Sequence, residues 1–321
     1  METTNKKPNE MIETLEYSFH IESIFGLCGP LSLSKIHDGP DNNVYLVVDN
    51  KGEKYALRES KRPEKDISFE IEVLANLARL GFSVPNPIKV IEENGVQFVL
   101  FNYISGDQIR NLNEENINTN VLELGARKFG ELHSHTNNMR VEAISNRTIF
   151  TEFDRLLRLS VGALRQYEGY EIFLEQVRKY YDEAKLRIKD ENELCGVIHN
   201  DYRVQNLIYA KDDCFIIDFD WATYGPLLKD LGLAVAVWSS YTKDGLPSKL
   251  LIDRFLASYN QTAPRAIVYD EDLIFWICFA CLSDACTFFA DLNGGQHPDK
   301  VITNVEQCYM YQKYKFFAPS K

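Results

Sequence analysis

Positive charge is in short supply: Lys and Arg number 35 against 47 Asp and Glu, a formal charge of -12. Nucleic-acid phosphates demand clustered cations, so a nucleic-acid partner is excluded. The acidic excess suits a cationic small molecule if the carboxylates line a cleft, and otherwise keeps the chain soluble. A disulfide framework is missing too, because seven Cys is an odd count in a chain of 321 residues. That usage fits a reducing compartment. Cys278 and Cys281 form a CxxC inside the apolar run LIFWICFACL, with no second pair nearby, and read as helix packing. The start, METTNKKPNEMIETLEYSF, has no apolar signal core. The longest apolar stretch, Leu273–Leu282, is too short to span a bilayer, and Asp284 follows it. The expectation is a cytoplasmic protein without a membrane partner. Repeats and low-complexity segments are absent, and 17 Gly and 11 Pro are too few for a fibrous or disordered chain.

Apolar residues are plentiful at 45%, and aromatics at 12% supply bulk for a large core. The chain has two textures. From about residue 17 to 104 it is mostly strands. VYLVVDN and KGEKYALRES form a hairpin turning at Asp49–Gly52, and VPNPIKVIEENGVQFVLFNYI forms a second around Glu93-Asn94-Gly95. Between them DISFEIEVLANLARLG has helical spacing, with Phe69, Val73, Leu77 and Leu80 on one face and Gly81 ending it. After Gly106 helical spacing dominates, expected over residues 120–134, 151–166, 170–189, 248–259, 270–292 and 301–317. A β-rich island, Gly196–Trp221, lies in the middle.

That island reads GVIHNDYRVQNLIYAKDDCFIIDFDW. His199, Asp201 and Asn206 form the spacing H-x-D-x-x-x-x-N, and Asp218 follows between Ile217 and Phe219. An Asp among apolar strand residues is costly to bury unless it is paired or binds a cation. Phosphoryl transfer needs these residue types together: a carboxylate beside the attacking hydroxyl, and oxygen ligands for the Mg²⁺ that bridges ATP phosphates. Asp201 is the candidate base or orienting carboxylate. Asn206 and Asp218 are the candidate metal ligands. His199 is expected to pack against the loop rather than move protons.

These residues resemble the kinase-like phosphotransferase family that contains aminoglycoside phosphotransferases, choline kinases and type II homoserine kinases. HNDYRVQN looks like its catalytic loop and IIDFD like its second metal motif; Phe219 is followed by Asp220 rather than Gly, which favours the small-molecule branch over protein kinases. The resemblance implies an α+β, bilobal protein-kinase-like fold. Its N-lobe, residues 1–104, is an antiparallel sheet plus helix that binds nucleotide. Its C-lobe, residues 105–321, is mainly helical and binds substrate. It implies ATP, with GTP as an alternative donor, and Mg²⁺. Arg58 in KYALRES then clamps the α- and β-phosphates, positioned by Glu70, with Glu72 as second choice. SKIHDGPDNNVYLV would cover the phosphates, with Asn43 as a contact, and it carries one Gly where a Gly-rich loop has three. FVLFNYISG would be the hinge, with Asn102, Tyr103 and Ile104 offering backbone groups to adenine. Asp230 would brace the catalytic loop, and His133 in GELHS would be a core histidine.

The acceptor is expected to be a small hydroxyl compound bearing an amine: aminoglycoside-like, an amino alcohol or homoserine. Asp284 and Asp291 share a helix face and, with Asp299 and Glu306, could form an acidic wall for that amine. Asp220 could approach metal, substrate or solvent. Trp276, Phe279, Phe288, Phe289, Tyr309 and Tyr311 could cage a quaternary ammonium or simply fill the core. The rival readings are a bacterial kinase-like protein Ser/Thr kinase and a catalytically silent nucleotide-binding module. The oligomeric state is left open.

Overall fold

A computed structural model describes residues 21–38, 42–60, 67–109, 119–159, 164–190, 192–210, 213–242, 245–295 and 301–319. The chain divides into two compact units, Met1–Ile67 with Leu74–Gly106, and Ser68–Val73 with Asp107–Lys321.

The first unit is built on β1 (Ser32–Asp38), β2 (Asn42–Val48), β3 (Lys54–Ser60), β4 (Pro87–Glu93) and β5 (Val96–Asn102). They form one antiparallel sheet in the order β1-β2-β3-β5-β4. Alternation sends Val47, Leu57 and Leu100 to one face, where they pack with Ile21 and Phe25. The β2–β3 turn forms where expected: Asp49 Oδ1 accepts the N–H groups of Lys51 and Glu53, both at 2.9 Å, and Gly52 supplies a φ of 82°. Asn94 and Gly95 both adopt positive φ between β4 and β5, the pattern a two-residue hairpin turn demands. Helix α1 (Ser68–Arg79) is divided between the two units. Phe69, Val73, Leu74 and Leu77 are buried, while Leu80 lies past the helix end and is 56% exposed, contrary to its expected place on the buried face.

The second unit is mainly helical. Among the described residues its helices include α2 (Thr119–Thr136), α3 (Thr151–Arg158), α4 (Tyr170–Arg187), α5 (Leu227–Trp238), α6 (Lys249–Tyr259), α7 (Glu271–Asn293) and α8 (Tyr309–Phe317). Helix α7 is the hub, packed against α3, α4, α5 and α8. Its approach to α5 is close enough that a Cβ on Gly232 would stand 2.7 Å from backbone atoms of Trp276 and Ile277. Short strands carry the chemical island. β6 (Asp107–Gln108), β8 (Leu207–Ala210) and β9 (Asp213–Ile216) form a three-stranded sheet, and β7 (Cys195–Ile198) pairs with β10 (Thr223–Pro226).

Three expectations need correction. The helix at residue 151 stops at Arg158, because Leu159 turns extended with ψ 144°. The helix expected over 301–317 starts only at Tyr309. Cys308 is extended, and Asn304 and Gln307 cap a separate 3₁₀ turn, Val305–Gln307. The apolar run Leu273–Leu282 belongs to a helix of 23 residues, long and apolar enough to cross a membrane by length and composition. Of its most apolar window 78% is buried inside the protein, as in a core helix.

Candidate active site

The catalytic-loop candidate leaves β7 at His199 and ends in a 3₁₀ turn, Val204–Asn206, that feeds β8. His199 is fully buried. Its Nε2–H donates to the Ile217 carbonyl at 3.0 Å, and its Nδ1 accepts the Asp201 N–H at 3.3 Å. A carbonyl can only accept, which places the proton on Nε2. Burial pushes the imidazole pKa down and keeps it neutral, with Asp230 and Asp201 opposing. His199 therefore ties the Asp201 loop to the Asp218 segment.

Asp230, in the first turn of α5, is also fully buried. Its two oxygens accept the backbone N–H groups of His199 at 2.7 Å and Asn200 at 2.8 Å. His133 Nε2 lies 3.3 Å from the same carboxylate, and its Nδ1 meets the Tyr259 hydroxyl at 2.7 Å. Burial raises the Asp230 pKa, but the His133 hydrogen bond and the nearby Lys229 ammonium outweigh it and hold the carboxyl below its usual range. Tyr202 anchors the loop from beneath: it stacks on Phe129 at 4.0 Å and donates its hydroxyl to Gly125 O.

Those supports aim Asp201 and Asn206. Asn206 Nδ2 donates to the Asp201 carbonyl at 2.9 Å and to Asp201 Oδ2 at 3.1 Å. The other carboxylate oxygen accepts from Arg203 Nε. Arg203 also reaches Asp284 Oδ1 and Oδ2 at 3.2 and 3.3 Å. Burial would lower the guanidinium pKa, but the Asp201 and Asp284 charges reverse that and raise it. Ile217 N–H donates to the Asn206 carbonyl at 2.9 Å, so the Asp218 segment runs beside Asn206. Asp218 itself adopts φ 66° and ψ 61°. A non-glycine residue there is strained by about 1 kcal/mol or more, and such strain gathers at functional positions. Asp220 is buried in the following turn, Phe219–Trp221.

A cavity of about 170 Å³ opens beside this loop within the second unit. Asn200, Asp201, Arg203, Trp221, Lys229 and Asp284 line it, with Arg147, Glu152 and Ser283. Arg147, Trp221 and Lys229 escaped the sequence reading. The first two belong to no motif, and Lys229 is visible only as the neighbour of Asp230. Arg147 stacks its guanidinium 3.8 Å above the Trp221 ring and lies 3.8 Å from Glu152.

The expected acidic wall does not assemble. Asp284 lines the cavity, but Asp291 does not; it is 2.5 Å from Arg155 in an ion pair. Glu306 pairs with Lys315 at 2.5 Å on the surface, and Asp299 lies outside the described residues. Of the six aromatics read as a cage or as core, Trp276, Phe279, Phe289 and Tyr311 are core, with Phe279 stacked on Phe153 at 4.7 Å, whereas Phe288 is half-buried and Tyr309 exposed. Cys278 and Cys281 are buried free thiols, and burial pushes the Cys278 thiol up to about 11, which suits packing rather than metal or redox chemistry.

In the first unit, Arg58 is buried on β3, opposite Val44 and Val99, with its guanidinium 5.5 Å from the Phe101 ring. Glu70 is buried in the α1 segment that clusters with the second unit. Glu72 accepts the Glu142 and Ala143 N–H groups at 2.7 and 2.8 Å, which spends it on a loop. Asn43 donates its amide to Glu59 at 3.0 Å, and residues 39–41 of its hairpin lie outside the described residues. The hinge expectation needs refinement. The Asn102 and Tyr103 N–H groups donate to Asn86 O and Lys54 O, which leaves Ile104, among the described residues, as the one of the three whose N–H makes no backbone bond.

The sequence profile of the phosphotransferase enzyme family matches residues 32–266. A search of curated proteins finds no match. Among solved structures, an amicoumacin kinase in complex with AMP-PNP, Ca²⁺ and Ami superposes with a TM-score of 0.70 at 13% identity, covering 97% of this chain and 96% of that one. An ethanolamine kinase from Plasmodium vivax gives 0.68 at 15% identity, over 99% of this chain and 93% of that one. A choline kinase from Cryptosporidium parvum gives 0.63 at 15% identity, over 94% of each. The fold is α+β and protein-kinase-like.

Proposed function

Because the chain belongs to the phosphotransferase enzyme family, we propose that it moves the γ-phosphoryl group of ATP to a hydroxyl of a small acceptor bound beside Asp201. The observation that carries this reading is the grip on Asp201. Asn206 and Arg203 fix its two oxygens, Asp230 fixes the backbone on its N-terminal side, and the carboxylate lines the cavity. In phosphoryl transfer the protein contributes positioning and charge rather than covalent chemistry, and a carboxylate held this firmly suits that role. Asp201 would accept the hydrogen bond of the acceptor hydroxyl and take up its proton as the new P–O bond forms.

The donor set beside it suits a hard divalent cation such as Mg²⁺. Asn206 spends its amide nitrogen on Asp201, which leaves the amide oxygen as its ligand atom, and Asp218 supplies an anionic oxygen. Among the described residues no group of three His, Cys, Asp or Glu could enclose a metal alone. That agrees with a cation held by few protein oxygens and completed by phosphates and water. When bound, such a cation would neutralise charge on the phosphates. Arg58 keeps the proposed role of phosphate clamp, and Ile104 the proposed contact to adenine. The seven free thiols support a cytoplasmic site of action.

The test is coupled ADP release with MgATP and, separately, MgGTP. The panel holds aminoglycosides, choline, ethanolamine and homoserine, with no-acceptor and Asp201→Asn controls. Acceptor-dependent release that disappears in the variant supports the reading; release that survives in Asp201→Asn refutes the role of this loop.

A further inference from the structure

Three cations and three carboxylates line the cavity: Arg147, Arg203 and Lys229 against Glu152, Asp201 and Asp284. Pairing does not match them one to one. Arg203 bridges Asp201 and Asp284. Glu152 is shared by Arg147 and Arg155. All three carboxylates thus already hold a guanidinium, and an acceptor amine would have to displace one. Lys229 is the reverse case. It is 3% exposed, its Nζ donates to the neutral Asn200 Oδ1, and no carboxylate among the described residues lies within ion-pair distance.

A buried ammonium with no carboxylate in direct contact is costly. The location adds to the cost, because Lys229 stands in the first turn of α5, where the helix macrodipole is already positive. A solvated role cannot explain a lysine so enclosed, and an apolar residue would pack there more cheaply. Burial pushes its pKa below the ordinary lysine range against the opposing pull of Asp230, Asp284 and Asp201, and a bound anion would raise it further. Arg147, oriented by its stack on Trp221, adds a second cation to the same cavity. The lining charges balance in number, three against three, and Lys229 is the cation among them that touches no carboxylate.

We propose that Lys229, assisted by Arg147, binds an oxyanion of the acceptor, so that the acceptor is a compact hydroxy acid carrying a carboxylate beside the hydroxyl that is phosphorylated. This inference rests on the phosphotransferase reading and names the substrate class of the same site. A cavity of about 170 Å³ accommodates a compact molecule. The chemistry needs only the proposed donor, ATP: the acceptor oxygen bonds to the γ-phosphorus, the bond from that phosphorus to the ADP oxygen breaks, and the hydroxyl proton passes to Asp201. The carboxylate is bound and not altered.

The experiment uses pairs of acceptors that differ only in charge. Glycerate, serine, homoserine and 4-hydroxybutyrate are each compared with their carboxamides, by coupled ADP release with MgATP. Wild type, Lys229→Met and Lys229→Gln are measured, with choline, ethanolamine and an aminoglycoside in the same assay. The expected result is that at least one acid exceeds its amide about a hundredfold in kcat/KM, and that Lys229→Met reduces this to within about threefold through KM. Turnover of choline or an aminoglycoside, with no acid preferred to its amide, overturns the proposal while the phosphotransferase reading stands. An equal fall in kcat for acids and amides in Lys229→Met also overturns it, since Lys229 would then serve the transferred phosphoryl group. If no acceptor releases ADP, the phosphotransferase reading fails. Calorimetric titration of the same acids and amides then judges the anion site, and equal binding of both to wild type overturns it.

Discussion

Asn206 holds Asp201 by two hydrogen bonds from one amide nitrogen, at 2.9 Å to its carbonyl and 3.1 Å to its carboxylate. The residue assigned to the metal thereby also orients the residue assigned to the hydroxyl. Loss of the Asn206 side chain should therefore disturb both functions.

Asp201→Asn keeps the shape of the loop and removes the carboxylate. Turnover should fall by about 10²–10⁴-fold, the usual worth of a positioned proton acceptor. MgATP affinity, read by calorimetry, should change little. Asp218→Asn should instead lose Mg²⁺-dependent nucleotide binding itself. Equal loss of binding in both variants would contradict this division of labour.

Asp230 is a buried anion that accepts two backbone N–H groups and faces His133. Asp230→Ala should cost about 3–5 kcal/mol in urea unfolding, because two N–H donors and a histidine lose their partner together. A loss below about 1 kcal/mol would mean that the loop does not depend on this brace.

Gly232 marks the close approach of α5 to α7. An alanine there would place its Cβ 2.7 Å from helix backbone, which cannot yield as a flexible side chain could. Gly232→Ala should destabilise by about 1–3 kcal/mol or more and disturb Asp230 and Lys229 on the same helix. Unchanged Tm and unchanged activity would refute the tight crossing.

Lys313 is 1% exposed on α8, its Nζ 4.0 Å from the centre of the Tyr309 ring. Burial lowers its pKa to about 8, with Cys281 and Asp284 resisting and Arg203 assisting. Between that value and the ordinary 10.5 the unfolded chain binds more protons, so stability rises with pH there. Below about 8 both states are charged and the folded protein carries the full penalty. The stability of wild type relative to Lys313→Met should therefore climb by about 2 kcal/mol from about pH 7 to about pH 9.5. A flat difference would mean that Lys313 is not desolvated.

Asp291→Asn should leave acceptor kcat/KM within about threefold, because Asp291 is committed to Arg155, outside the cavity lining. A large rise in KM for amine-bearing acceptors would restore the acidic wall that the fold otherwise breaks up.

The legible parts of the site were local. His199, Asp201 and Asn206 share one short loop, and Asp218 follows after a single hairpin, so spacing alone brings their chemistry into view. Strand alternation and helical spacing likewise marked the elements, apart from ends such as Leu159 and Cys308, where the backbone turns extended without Gly or Pro to announce it. Asp284 and Asp291 misled because a shared helix face says nothing about what stands opposite. Their partners, Arg203 and Arg155, come from residues 81 and 136 positions away.

The order of residues along the chain thus determined the reaction type, since phosphoryl transfer draws on a carboxylate, an amide and a second carboxylate at nearly fixed intervals along one segment. Packing of the helices decided the charge that lines the cavity. It neutralised Asp284 with Arg203, withdrew Asp291 to Arg155 and left Lys229 buried against the Asn200 amide with no carboxylate in ion-pair contact among the described residues. Ion pairing depends on distances of a few ångströms between segments remote in sequence, and only the closed core sets those distances.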